Sequence, residues 1–129
     1  MLQMERRTLP GDAEDTALHE VQQILDALTH EDATFRGTAT AVFSRPAYEI
    51  AADHELPGLL AEALKHVGGE PRITGASFWT DAAVLGHAGI PSILFGPGGA
   101  GLHSTEEYVY VADVLLCRDA LVELARRFC

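Results

Sequence analysis

The chain has 129 residues, 47% of them hydrophobic and 22% charged, the size and composition of one ordinary globular domain. Its 19 acidic residues outnumber 9 basic ones, for a formal net charge of -10. That balance argues against a nucleic-acid binder, whose phosphate affinity comes from clustered Lys and Arg, and against electrostatic attachment to an anionic membrane. The opening MLQMERRTLPGD has no apolar core of a signal peptide, and no run approaches a membrane span, so a cytoplasmic location is expected.

In chain order, Leu2–Arg7 reads as a strand ending at the Pro10-Gly11 turn. A helix is expected over Asp12–Thr29, because Ala17, Leu18, Val21, Ile24, Leu25 and Leu28 recur at helical spacing. Asp12, Glu14 and Asp15 suit its positive N-terminal end. Thr38–Ser44 alternates small polar and apolar residues and reads as a second strand, stopped by Pro46.

Tyr48–Asp53 is the best boundary between two units. Beyond it, a helix over His54–Val67 aligns Leu56, Leu59, Leu60, Ala63, Leu64 and Val67, with Asp53 as the expected N-cap and Gly68-Gly69 as the stop. Arg72–Thr74 is a short strand candidate. A short helix, Asp81–Ala88, is expected to be capped by Thr80 or Asp81 and ended by Gly89. Pro91–Phe95, reading PSILF, is a continuous apolar run before a glycine cluster, the pattern of a parallel strand buried on both faces. The last helix, Ala112–Phe128, is expected to bury Val114, Cys117, Leu121, Leu124, Ala125 and Phe128. It also holds both cysteines, and a rise of about 1.5 Å per residue keeps Cys117 and Cys129 too far apart to bridge. So few strands would leave open edges and apolar faces, which proteins normally cover. Either something that covers them is missing, or a small three-layer domain closes with strands the pattern does not reveal.

Three segments can carry chemistry. GPGGAGLHSTEEY, Gly96–Tyr108, follows the PSILF run, and open α/β sheets place ligands at the carboxyl ends of their strands. Gly96, Gly98, Gly99 and Gly101 allow close backbone approach. His103 is a candidate metal ligand, with Glu106 or Glu107 close enough in sequence to orient its ring. On its own the simpler reading is an exposed histidine in a loop, since one His makes no site. A phosphate loop is disfavoured, because the GK[ST] ending is absent and Glu106 and Glu107 sit where an anion would bind. In SFWTDAA, Thr80 and Asp81 open a helix whose N–H groups suit a carboxylate, and the simpler reading is an N-cap. In ERRTLPGD, an arginine beside the Pro-Gly turn suits bidentate grip of a carboxylate, and the simpler reading is a surface arginine. Neither HExxH nor GxSxG occurs.

In this order, RRTLPGD, SRPAYEIAADHELPGLLAEAL and SFWTDAAVLGHAGIPSILFGPGGAGLHSTEEYV resemble the di-zinc amidohydrolases that include acetylornithine deacetylase, succinyl-diaminopimelate desuccinylase, aminoacylase and glutamate carboxypeptidase. The resemblance implies an α/β fold: residues 1–47 as the second half of a β-α-β lid, or dimerisation, domain, and residues 48–129 as the C-terminal part of the catalytic domain. It also implies that His103 ligates one of two zinc ions (cobalt or manganese being alternatives). Arg7 would hold a substrate carboxylate, with Thr80, Asp81, Gly96, Gly98 and Gly99 lining the pocket. The substrate would be a small N-acyl amino acid or dipeptide, and a homodimer could form through the lid. The family's other zinc ligands and its general-base glutamate have no counterpart in these residues. The expected function is thus part of a metal-dependent amidohydrolase, inactive alone and poorly folded or self-associating. A non-catalytic remnant that pairs or binds is the alternative.

Overall fold

The computed structural model describes residues 1–128. Its elements are α1 (Thr16–Glu31), α2 (Glu55–His66), α3 (Asp81–His87), β1 (Gly99–Ala100), β2 (Tyr108–Val109) and α4 (Val111–Phe128). β1 and β2 pair antiparallel, Gly99 with Val109 and Ala100 with Tyr108. The chain is therefore mixed, mainly helical, with little sheet.

The centre of packing is the α2–α4 pair. Leu60 and Ala63 of α2 and Ala120 of α4 are buried, and Ala83 of α3 is the remaining buried apolar residue among those described. α2 presents the expected face, but it is capped by His54 rather than Asp53: the His54 Nδ1 accepts the Leu56 N–H at 3.1 Å. It ends in a Schellman arrangement. Gly68, at φ 88°, takes the left-handed conformation that glycine adopts without strain. The Gly68 and Gly69 N–H groups then reach the Lys65 and Leu64 carbonyls at 3.0 and 2.9 Å. α3 ends the same way, with Gly89 at φ 81° and the Ile90 N–H donating to the Leu85 carbonyl at 2.9 Å.

The face of α4 differs from the expected stripe. Ala120 is buried, and Leu116, Cys117, Glu123 and Leu124 flank it half-buried, while Val114, Leu121 and Phe128 are exposed. α4 is apolar on two faces, and α2 covers only one. Cys129, whose separation from Cys117 the sequence predicts, lies outside the described residues.

α1 starts at Thr16 rather than Asp12. The Asp12 carboxylate instead closes the preceding turn, accepting the Leu9 N–H at 2.9 Å and Arg6 Nη1 at 2.8 Å. The Arg6 Nε and Nη2 also reach both Glu20 carboxylate oxygens, at 2.9 and 2.7 Å, which ties residues 6–12 to α1. None of the residues of α1 is buried.

None of the four expected strands, Leu2–Arg7, Thr38–Ser44, Arg72–Thr74 and Pro91–Phe95, pairs in a ladder among the described residues. PSILF is not enclosed: Ile93 is half-buried and Leu94 is exposed. A strand needs a neighbour to take its N–H and C=O groups, and among the described residues none of these segments pairs with one. The surface area says the same. A compact monomer of 13.9 kDa exposes roughly 6,700 Å², whereas this chain exposes 10347 Å².

Tyr48, at the boundary expected from the sequence, packs onto the end of α3 and the segment after it. The Tyr48 hydroxyl accepts the Ser92 N–H and donates to its carbonyl, both at 3.2 Å, and its ring leans on His87. A Cβ on Gly86 would run into that ring, which explains a glycine inside α3.

Candidate functional site

The glycine-rich segment forms a short arm. Its base is Gly98, whose N–H donates to Asp113 Oδ2 at 3.1 Å and whose carbonyl accepts the Tyr110 N–H at 2.9 Å. β1 and β2 then run side by side, and the Tyr108 carbonyl lies where a Gly99 side chain would stand. At the far end Gly101 has φ 77° and its carbonyl accepts the Ser104 N–H at 2.7 Å. The Ser104 hydroxyl in turn accepts the Glu106 N–H at 3.2 Å.

His103 sits on this turn, exposed, at φ 64°. It is the one non-glycine residue with positive φ among those described. The left-handed region is costly for residues with a Cβ, although His visits it more often than most. The turn thus carries an exposed imidazole on a backbone tied by two neighbouring hydrogen bonds. The expected orienting contact is not made: neither Glu106 nor Glu107 forms a hydrogen bond or ion pair with His103. Their carboxylates are exposed, and the turn directs the Glu106 backbone, not its side chain, inward.

The other expected site residues are separate. Thr80 is the N-cap residue of α3 by position, without a side-chain hydrogen bond, and Asp81 is the first helical residue. Arg7 is exposed, its side chain 66% accessible, and its Nε meets Glu5 Oε1 at 2.7 Å. Its neighbour Arg6 carries the structural contacts, so of the two guanidiniums in ERRTLPGD, Arg7 is the one turned to solvent. Gly96 and Gly98 line a hollow of about 240 Å³ together with Glu70, Asp113 and Cys117. Gly99 lines a second, of about 250 Å³, with Gly101, Glu107 and Tyr108. His103, Arg7, Thr80 and Asp81 line neither. Cys117 is a poor nucleophile there, because burial, and then the Asp113 charge, push its thiol up.

Zinc takes three or four ligands. Among the described residues no three His, Cys, Asp or Glu side chains come together as a ligand set. The described residues do not fit a metal by themselves; His103 is one exposed imidazole.

Two features escaped the sequence reading. The Arg45 guanidinium stacks over the Trp79 ring at 3.8 Å and faces Phe43 at 5.0 Å, bringing residues 43–45 against the turn before α3. The Trp79 Nε1 is buried there without a hydrogen-bond partner. Asp113 is the other. Its signal was present, an acidic residue in the first turn of a helix just after a glycine loop, but such a residue is ordinarily read as helix-dipole compensation.

Among the described residues no helix is long and apolar enough to cross a membrane. No solved structure matches the chain. An acetylornithine deacetylase of Myxococcus xanthus is 29% identical over 127 residues, 98% of this chain and 32% of that protein. A peptidase T of Bacillus subtilis is 28% identical over 74 residues, 57% of this chain and 18% of that protein. A peptidase T of Bacillus cereus is 34% identical over 80 residues, 62% of this chain and 20% of that protein. The chain thus spans about a third or less of the curated relatives it matches. The family model of peptidase family M20/M25/M40 matches residues 11–127, nearly all of the sequence, and the chain belongs to that family.

Proposed function

We propose that this chain supplies the C-terminal part of a metal-dependent amidohydrolase that cleaves the amide bond of a small N-acyl amino acid or dipeptide. The observation that supports it most is the His103 turn. A solvent-facing imidazole, in a strained backbone conformation, stands on a glycine-rich arm in a chain that belongs to a family of peptidases. Strain of that kind persists where the surroundings over-determine it, and it clusters at functional sites.

In this reading His103 is one metal ligand, and the other ligands and the general base come from polypeptide outside these residues. Zinc is the expected metal, polarising the amide carbonyl when bound. Arg7, free of the structural duties of Arg6, offers a planar pair of N–H donors to the substrate's carboxylate. Thr80, Asp81, Gly96, Gly98 and Gly99 border the pocket. Residues 1–47 act as half of a lid and residues 48–129 as a flank of the catalytic domain. The expected setting is the cytoplasm, with dimerisation through the lid.

Zinc content per untagged chain, with His103→Ala as control, tests this. The expected result is no stoichiometric zinc on the chain alone. Hydrolysis of N-acetylated amino acids should appear only when a polypeptide matching the rest of the deacetylase is supplied, and should be lost in His103→Ala. One tightly held zinc per chain, absent in the mutant, would overturn the view that the site is incomplete. Supplemented chain whose activity is indifferent to His103→Ala would remove His103 from the site.

A further inference from the structure

Gly98 is held on both of its polar groups by one element, the start of α4. Its carbonyl takes the Tyr110 backbone N–H at 2.9 Å, and its N–H goes to Asp113 Oδ2 at 3.1 Å. Tyr110 in turn offers its own carbonyl to the Val114 N–H at 3.1 Å, so it opens the helix while bonding the arm. Asp113 lies in the first helical turn, where a carboxylate would ordinarily compensate the dipole or cap its own helix. Here it spends a carboxylate oxygen on the arm instead.

The fit is reciprocal. A Cβ at Gly98 would meet Asp113 Oδ2 at 2.7 Å, whereas the next nearest atoms, on the Tyr110 ring, lie at 3.5 and 3.8 Å. Gly98 is not among the glycines with positive φ. Its backbone would accept alanine, and only the Asp113 carboxylate stands in the way. A continuous mechanical path follows. α4 is anchored on α2 through Ala120, Leu60 and Ala63; Asp113 grips Gly98; Gly98 begins the β1–β2 arm; and His103 rides at its end.

We propose that Asp113 is a positioning residue, fixing the base of the glycine arm and through it the place of the His103 imidazole. The contact itself stands on geometry alone, while its value to catalysis rests on the function proposed above. An arm of two paired residues per strand has little rigidity of its own, so its direction is set at its base. Misplacing a reacting group by about 1 Å can cost about a hundredfold in rate.

The test uses the full chain labelled at histidine, which has 6 such residues, with His103→Ala assigning the signal. Asp113→Ala should move the His103 ring resonances more than those of the other histidines and speed exchange of the Gly98 amide by about tenfold or more. Asp113→Asn keeps an acceptor oxygen and should restore both. Gly98→Ala should reproduce the Asp113→Ala shifts in the wild-type background and add little in the Asp113→Ala background, because the clashing oxygen has gone. Equal effects of Gly98→Ala in both backgrounds, or an unmoved His103 signal in Asp113→Ala, would overturn the proposal. In the chain supplemented to activity, Asp113→Ala should lower kcat by about tenfold or more with KM nearly unchanged. Full activity in that variant overturns the positioning role while leaving the proposed function standing. Absence of hydrolysis in the supplemented wild type overturns the function, and the resonance and exchange shifts still report the clamp.

Discussion

α1 and α2 begin from the same kind of sequence and end in different states. Both carry apolar residues at helical spacing, yet α2 buries Leu60 and Ala63 against α4, while α1 buries nothing and leaves Ile24 59% and Leu28 39% exposed. The difference is the partner. α4 returns alongside α2 and brings a small residue, Ala120, to the crossing, whereas the stripe of α1 is only half-covered: Ala17, Leu18, Val21 and Leu25 are half-buried, Leu25 beside Gly37, and Ile24 and Leu28 stay exposed. An amphipathic pattern states that a face needs covering; it does not state what covers it. The same holds within α4, whose Ala120 face is covered and whose Val114–Leu121–Phe128 face is open.

Matched truncations on the two helices should give the largest contrast. Leu60→Ala removes a side chain that is 8% exposed from the α2–α4 crossing and should cost about 2–3 kcal/mol in urea unfolding, the lower part of the usual range for buried leucines. Ile24→Ala on α1 should cost less than about 0.5 kcal/mol, as surface substitutions do. The contrast should shrink once a covering polypeptide is supplied, because Ile24 then has something to lose. Equal costs in the free chain would mean that α1 is packed in solution, and would break the comparison.

The helices were legible in the sequence because a helix satisfies its own backbone; periodicity and glycine stops placed α2 and α3 within a residue or two. The strands were not realised, because Leu2–Arg7, Thr38–Ser44 and Pro91–Phe95 depend on neighbours that a pattern within one segment cannot supply. Cap chemistry was legible only in part. His54 took the place of Asp53, one residue on, because its Nδ1 can act as an acceptor in the same way as a carboxylate. His103 was visible as a candidate from its glycine-rich setting, but its positive φ is a property of the folded turn. Asp113 was legible as an acidic residue in the first turn of a helix, but not its partner, a backbone N–H fifteen residues away, because side-chain-to-backbone contacts of that reach leave no spacing to read.

A smaller contrast separates Arg6 from Arg7, adjacent and chemically identical. Arg6 binds Asp12 and both oxygens of Glu20; Arg7 meets only Glu5. Arg6→Ala should therefore free residues 6–12 from α1, with faster exchange at the Leu9 amide and earlier proteolytic cleavage near the Pro10-Gly11 turn. Arg7→Ala should leave both measurements unchanged. Acid should imitate the Arg6 substitution. The Leu9 N–H first, and then Arg6, hold the Asp12 carboxyl below its ordinary value. A depressed folded-state value stabilises the tie above the unfolded aspartate range, and that contribution fades as pH falls through the folded value. Protection of the Leu9 amide that persisted at pH values below the whole aspartate range would sink this account.

The smallest effect is expected at the edge of the α2–α4 pair. Glu123 accepts Arg127 Nε at 2.9 Å within α4 and lies 3.9 Å from His66 Nε2 of α2, while Arg127 reaches across to Glu62 at 3.5 Å. The Arg127 hydrogen bond is the main reason the Glu123 carboxyl is held down, with the charges of His66 and Arg127 adding to it. Stability from this cluster is thus present above the ordinary glutamate range and is lost as pH falls through the lowered value. Exposed pairs of this kind contribute little, and salt screens them. Glu123→Gln should accordingly flatten the acid limb of the unfolding midpoint while barely moving it at neutral pH, and added salt should erase the remaining difference. A shift at neutral pH as large as that of Leu60→Ala would mean that charge, rather than the Leu60, Ala63 and Ala120 contact, holds the two helices together.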